Sequence, residues 1–354
     1  MIARDGRVVG FRRPTALTTV AALALALLAG CPGDGGSGTV DAGPVVDAGP
    51  DAPACNPDRP TATAPQIAFG PGDLEPQIAA QIDGATVSID IGMYAFTLTR
   101  LADKLIAAKQ RGVAVRVLFD QSQQSTNQTV FSRLQNAGVQ VKWAPGTFPY
   151  SHAKYLLIDR DTAMILSGNL TLTGMTDQRN VGLIDRDPTN VADLGAIFAA
   201  DWASTTPQLD CPRLMISPAD ARTRVLGLIA SARTSLDIEV YYIADVGVPT
   251  AITAARARGV TVRVILSEPS EVSDNPATAQ ALEAGGVTVR LLADPVPHIK
   301  MIIVDGQAAL VGSHNMSTTS LRDNREIGEI VRVPAAVTTL KTRFEGDWAL
   351  GTDV

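Results

Sequence analysis

Two of the three histidines in this chain open the same pattern: His152-x-Lys154 with Asp159, and His298-x-Lys300 with Asp305. Each copy then carries a serine and an asparagine at matching distances, Ser167 and Asn169 in the first, Ser313 and Asn315 in the second. Paired imidazoles, ammonium groups and carboxamides suit displacement at a phosphodiester. That reaction needs a nucleophile, a proton for the departing alkoxide and donors for the non-bridging oxygens. The inventory calls for no metal and no cofactor, and the chain has neither a carboxylate-rich tract nor a cysteine pair at zinc spacing.

Elements that could position these groups follow from local pattern. A histidine and a lysine at i and i+2 on an extended segment project to one face, so both can reach one phosphate. Residues 154–158 and 301–304 read as strands, turning at Asp159-Arg160-Asp161 and Asp305-Gly306 into returning strands at 163–166 and 308–311. Ser167, Asn169, Ser313 and Asn315 then stand beside the histidines. Asp159 and Asp305 lie at the far turn and read as structural. The third histidine, His314, falls where the first copy has Gly168, and reads as a solvent-side loop residue.

The repetition extends beyond these motifs. Arg111-Gly112-Val113 recurs as Arg258-Gly259-Val260, and Phe198-x-x-Asp201-Trp202 recurs as Phe344-x-x-Asp347-Trp348. β-Branched runs at 113–119 and 260–266 follow amphipathic helical stretches at 101–111 and 249–258. The expected fold is α/β: two duplicated sandwich halves, 66–206 and 207–354, with mixed, largely parallel sheets.

The motifs resemble those of the phospholipase D superfamily, H-x-K-x4-D followed by G-[SG]-x-N. The second copy, HIKMIIVDGQAALVGSHN, matches fully; the first has Leu166 where the second has Gly312, a packing position. The resemblance implies that the two halves are related by a pseudo-twofold axis with the site at their interface, and that a phosphohistidine intermediate forms there, with one histidine attacking and the other protonating the leaving group. It also implies that an acidic residue 28 positions after one motif histidine orients the histidine of the opposite half. That position is Glu326 after His298, but Asn180 after His152. A carboxylate on Nδ1 favours the nucleophilic role, which makes His152 the expected nucleophile and His298 the general acid. Lys154, Lys300, Asn169 and Asn315, with Ser167 and Ser313 in support, are the expected phosphoryl ligands.

The amino terminus points to export. Arg4, Arg7, Arg12 and Arg13 precede an apolar run, and Leu28-Ala29-Gly30-Cys31 reads as a lipobox that makes 1–30 a signal peptide and Cys31 the lipidated residue. Residues 31–65, rich in Pro and Gly with interspersed Asp, read as a disordered tether. Cys55 and Cys211 remain as an even pair for an oxidising compartment, free to pair or to stay as thiols. The expected location is the cell envelope, at the outer membrane, with the lipid anchor as membrane contact and the protein a monomer. Loss of the signal peptide removes four arginines against Asp5, so the mature chain is more acidic than the −6 of the whole. Such charge disfavours a nucleic-acid partner. Hydrolysis of phospholipid head groups is therefore the leading expectation, with an exported nuclease and a cardiolipin-synthase-like transferase as the alternatives.

Overall fold

The computed structural model describes residues 55–354, so Cys31, the signal segment and the tether up to residue 54 lie outside the described residues. The first half holds β1 (Gln66–Gly70), β2 (Ser88–Met93), β3 (Ala114–Phe119), β4 (Gln140–Trp143), β5 (Lys154–Ile158), β6 (Thr162–Leu166) and β7 (Gln178–Asp185), with helices α1 (Leu74–Gly84), α2 (Thr99–Gln110), α3 (Gln124–Asn136), α4 (Leu172–Thr176) and α5 (Pro188–Ala203). The second half repeats this plan. Its strands are β8 (Leu214–Ser217), β9 (Ser235–Val240), β10 (Ile243–Ala244), β11 (Thr261–Ser267), β12 (Thr288–Leu292), β13 (Val296–Pro297), β14 (Lys300–Val304), β15 (Ala308–Gly312), β16 (Met316–Ser317), β17 (Glu326–Val331) and β18 (Thr352–Asp353). Its helices are α6 (Ala221–Ser231), α7 (Gly247–Ala257), α8 (Asn275–Ala284), α9 (Thr318–Arg322) and α10 (Pro334–Leu350).

The strand orders are β1-β7-β6-β5-β2-β3-β4 and β18-β12-β11-β9-β14-β15-β17-β8, the same path in both halves apart from the added edge strand β18. The expected duplicated α/β fold is present, but its sheets are less parallel than the βαβ pattern suggests. Along these two strand orders only β2-β3-β4 and β9-β11-β12 run parallel, because the motif hairpins and the strands flanking them pair antiparallel; off the two paths, the short pairs β10·β16 and β13·β7 are parallel. The repeated Arg-Gly-Val marks the entry to the parallel strands. Gly112 and Gly259, at φ +97° and +91°, end α2 and α7 in the left-handed region that glycine adopts without penalty.

Strand alternation builds the core. Along β5, Leu156 and Ile158 face the first half's own helices, whereas Tyr155 and Leu157 face a second core shared with Met301 and Ile303 of the other half. Buried ion pairs cross that shared core. The Arg179 guanidinium donates to both carboxylate oxygens of Asp347 at 2.8 and 2.9 Å, and Arg325 donates to Asp201 at 2.9 Å. These two aspartates belong to the repeated Phe-x-x-Asp-Trp, so that motif closes one half upon the other.

The described end of the tether differs from its expected disorder. Cys55 and Cys211 are joined by a disulfide with Cα atoms 5.4 Å apart. The Arg213 guanidinium donates to the Pro60 carbonyl at 2.6 Å, and the Ala62 amide donates to Asp187 at 2.6 Å. A covalent link, these hydrogen bonds, another from Arg59 to the Cys211 carbonyl at 2.7 Å and an Asp58–Arg332 ion pair at 2.8 Å hold residues whose composition alone offers no burial. Among the described residues, no helix is long and apolar enough to cross a membrane.

Candidate active site

Short pairings between the halves deliver each motif histidine to the other half. Ser151 bridges Arg325, and the Ala153 amide donates to the Arg325 carbonyl at 2.8 Å, so His152 is held between two contacts beside β17. In the mirror arrangement β13 pairs with β7, Pro297 opposite Arg179, and sets His298 beside Asn180. The outcome is a cross-half pair for each histidine. His152 Nδ1 lies 2.9 Å from both oxygens of Glu326, and His298 Nδ1 lies 3.1 Å from Asn180 Oδ1. Both partners are acceptors, so each places the proton on Nδ1 and leaves Nε2 as the basic nitrogen.

Both lysines bend back along their strands, with Lys154 Nζ donating to the His152 carbonyl and Lys300 Nζ to the His298 carbonyl, each at 2.6 Å. Lys300 Nζ also lies 3.1 and 3.3 Å from the two ring nitrogens of His298. Four basic groups thus share a buried space with the Glu326 carboxylate, and Asp120 also favours the charged Lys154. Burial pushes the Lys154 ammonium down to about 7, and it drives Lys300 well below the usual lysine range with Lys154 adding repulsion. Burial and then both lysines hold His298 well below an ordinary histidine. For Glu326, burial alone would raise the carboxyl, but His152 and its other cationic neighbours hold it down at about 2. The pocket is therefore poised for an anion, which would restore protons to the lysines.

Asp159 and Asp305 sit at the far turns with φ +50° and +54°. Asp159 accepts from the amides of Thr86, Val87 and Ser88, and Asp305 from those of Arg233, Thr234 and Ser235. Both carboxylates hold the motif hairpin to the start of the neighbouring strand, far from the histidines. Ser167 and Ser313 depart from the expected phosphate contact. Ser167 Oγ donates to Asn180 Oδ1 at 2.9 Å and accepts from the Val181 amide; Ser313 Oγ donates to Glu326 at 2.6 Å and accepts from the Ile327 amide. Their hydroxyls are buried and committed to the residues behind the histidines. Asn169 and Asn315 follow in the loops after β6 and β15, their amide oxygens buried without a hydrogen-bond partner.

His314 is buried, contrary to the solvent-side expectation, with neither ring nitrogen partnered, and burial pushes it down to about 4. Space explains the difference. A Cβ on Gly328 would come within 3.1 Å of His314 Nδ1, so glycine there makes room for the ring; a Cβ on Gly168 would meet the Asn180 amide at 2.5 Å.

Further residues complete the site without having been singled out by the motifs. Ser320 and Asn324 also donate to Glu326, giving that carboxylate a full set of donors. Tyr94 packs edge-on to His152 with ring centroids 4.6 Å apart, and Tyr241 lies 5.3 Å from His298. Tyr94 and Tyr241 follow the matching strands β2 and β9, so the internal repeat was the signal that could have found them. A cavity of about 460 Å³ opens beside His152, walled by Tyr94, Tyr150, Tyr242, Asn315 and Thr318. Among the described residues, no three His, Cys, Asp or Glu side chains are grouped to hold a metal ion.

Comparison with known proteins places this geometry in a family. The family model described as "Cardiolipin synthase, PLD-like domain" matches twice, at residues 78–202 and 225–348. The chain is 25% identical to the probable cardiolipin synthase YwiE of Bacillus subtilis over 319 residues, covering 77% of this chain and 63% of that protein. It is 30% identical to the human mitochondrial cardiolipin hydrolase over 139 residues, covering 39% of this chain and 55% of that one. The chain thus spans less than two thirds of these relatives. A crystal structure of phosphatidylserine synthase from Haemophilus influenzae superposes with a TM-score of 0.65 at 14% identity, over 82% of this chain and 87% of that one, a likeness of fold. With both repeats matched and both His-x-Lys motifs set across one interface, the chain belongs to the phospholipase D superfamily, in the cardiolipin synthase, PLD-like domain family.

Proposed function

We propose that the protein transfers a phosphatidyl group between alcohols through a phosphohistidine on His152. The observation that carries this reading is the unequal pairing of the histidines, His152 on the Glu326 carboxylate and His298 on the neutral Asn180 amide. The carboxylate stabilises the imidazolium that forms when His152 Nε2 attacks phosphorus. As the P–O bond to the leaving alcohol breaks, His298 gives that oxygen its proton. A second alcohol then returns a proton to His298 and attacks phosphorus, and the P–N bond to His152 breaks. Lys154, Lys300 and the amides of Asn169 and Asn315 are proposed to hold the non-bridging oxygens. Burial, more than the lysines, keeps His298 neutral in the free protein, and a bound phosphodiester anion favours its charged form.

The similarity to proteins named as cardiolipin synthases favours an alcohol acceptor over water, and so a transferase over the phospholipase D hydrolase first expected from the sequence. Phosphatidylglycerol vesicles test the choice. Cardiolipin with free glycerol supports transfer; phosphatidic acid alone would return the protein to hydrolysis, and nicking of plasmid DNA with inert vesicles would make it a nuclease. Envelope anchoring through Cys31 is proposed on the lipobox alone. Cys31→Ser should release the protein from membrane fractions, and unchanged fractionation would refute the anchor.

A further inference from the structure

A second cavity, also about 460 Å³, lies in the first half beside the Asp159 turn, at the other end of the motif hairpin from His152. Arg116, Arg160 and Arg186 line it with Asp90 and Asp161, and the exposed Pro188, Ala192 and Ala199 give it an apolar wall. The internal duplication supplies a filled copy of this place. Arg116 on β3 and Arg263 on β11 are equivalent residues held alike: each guanidinium lies 4.8 Å from the ring centroid of the repeated phenylalanine, Phe198 or Phe344. Each Nε donates at 2.7 Å to the repeated aspartate, Asp90 or Asp237.

The two arginines differ in what meets the far end of the guanidinium. In the second half Glu345 accepts from Arg263 Nη1 at 2.9 Å and from Nη2 at 2.7 Å, and Lys341 pairs with Asp237. The first half has Ala199 where the second has Glu345, directly after the repeated phenylalanine, and Gly195 where it has Lys341. Two long side chains are missing, and both of these small residues line the cavity left in their place. Arg116 binds Asp90 through Nε and, at 2.7 Å, Nη2, whereas its Nη1 makes no hydrogen bond among the described residues. A guanidinium carries five N–H donors, so the end-on pair on Nη1 and Nη2 is unused. That pair is accessible, since 31% of the Arg116 side chain is exposed. Arg186 forms no ion pair among the described residues, while its equivalent Arg332 is matched by Asp58 at 2.8 Å. Three arginines thus face two aspartates in the wall, and one positive charge is unmet.

We infer that this cavity binds a small organic monocarboxylate, its two oxygens accepting from Nη1 and Nη2 of Arg116 as those of Glu345 accept from Arg263, its apolar body lying along Pro188, Ala192 and Ala199. The volume lies in the range of small-molecule sites. One negative charge balances the wall, whereas a dianion such as a phosphate monoester would add a second charge facing Asp90 and Asp161. The inference stands apart from the transferase reading, since it uses no motif histidine, lysine or asparagine.

Calorimetric titration of the full chain at low ionic strength and pH 8 with pentanoate, pentanamide and butyl phosphate tests this. The catalytic lysines can also take an anion, so the reading is the binding lost on Ala199→Glu, which supplies from α5 the carboxylate that Glu345 supplies from α10. Ala199→Glu should weaken pentanoate at this site by at least roughly tenfold without lowering the thermal midpoint. Ala199→Trp fills the same space without a charge and should give the same loss, so either folded variant suffices. Pentanamide, which has the same body without the charge, should bind there at least roughly tenfold more weakly than pentanoate, and butyl phosphate should also be the weaker ligand. The inference is overturned if pentanoate binding is absent or survives in a folded variant, or if pentanamide or butyl phosphate binds this site as tightly as pentanoate.

Discussion

Replacing Glu326 by glutamine removes one charge and forces a choice of tautomer. Four donors converge on the carboxylate: His152 Nδ1, Ser313 Oγ, Ser320 Oγ and Asn324 Nδ2. A carboxylate accepts all four, but an amide offers one oxygen and one NH2 group. The serine hydroxyls can rotate, and the imidazole can move its proton from Nδ1 to Nε2. That shift would remove the lone pair from the nitrogen that attacks. The charge-assisted hydrogen bond at 2.9 Å, which stabilises the His152 cation as it forms, is worth about 1.5–3 kcal/mol. Its loss should slow the first chemical step by roughly 10- to 160-fold, at about 1.36 kcal/mol per decade. The assay is the single-turnover burst of p-nitrophenolate from an aryl phosphodiester, followed by rapid mixing at pH 7, with Glu326→Asp as the charge-preserving companion. KM should move little, since Glu326 stands behind the imidazole. A burst rate for Glu326→Gln within threefold of the unaltered protein, in a variant with unchanged thermal unfolding, would refute the role assigned to the carboxylate.

Other expectations follow from the same geometry. Because Lys154 titrates near 7 in the free protein and binding an anion favours its charged form, KM for a phosphodiester should rise as pH climbs above about 7, and a flat KM from pH 6 to 9 would contradict the phosphate-binding role. Burial, with Asp185 adding repulsion, pushes the Glu329 carboxyl up from 4.5 to about 8, so its native form is the protonated one. The unfolded chain loses that proton first, and Glu329 therefore costs stability that grows as pH rises from about 4.5 to about 8 and then levels. Glu329→Gln should accordingly raise the thermal midpoint more at pH 8 than at pH 5; the reverse order would show the carboxylate to be paired. Cys55 and Cys211 enclose a loop of sequence separation 156, so Cys211→Ser should lower stability by about 2–5 kcal/mol in urea unfolding, and no change would mean that the linked segment adds nothing to the fold.

Much of this molecule was legible in local pattern because its chemistry repeats. The strand expected at 154–158 coincides with β5, and the helices expected at 101–111 and 249–258 fall within two residues of α2 and α7. Asn180 and Glu326 could be placed because the superfamily resemblance singles out the position 28 residues after each motif histidine. What escaped notice depends on contacts across the interface. Arg179 and Arg325 stand immediately before those two residues and bond Asp347 and Asp201 of the opposite half, but nothing in a single strand reveals which aspartate completes each pair. Glu239 and Glu329 lie buried in β9 and β17, their carboxylate oxygens without a hydrogen-bond partner. The two serines were misread for a related reason. Spacing along the chain brought them near the histidines, while the direction of each hydroxyl was set by the neighbouring strand, whose amide and side chain it bonds.

The division of labour between the histidines can be read from one chemical trap. His298→Ala, quenched in alkali during turnover of an alkyl p-nitrophenyl phosphodiester and mapped by mass spectrometry, should carry the alkyl phosphoryl group on His152, because p-nitrophenolate departs without a general acid while the second step stalls. His152→Ala should carry none and release no burst. The alkyl phosphoryl group on His298 in the His152→Ala protein would contradict the assignment and reverse the two roles.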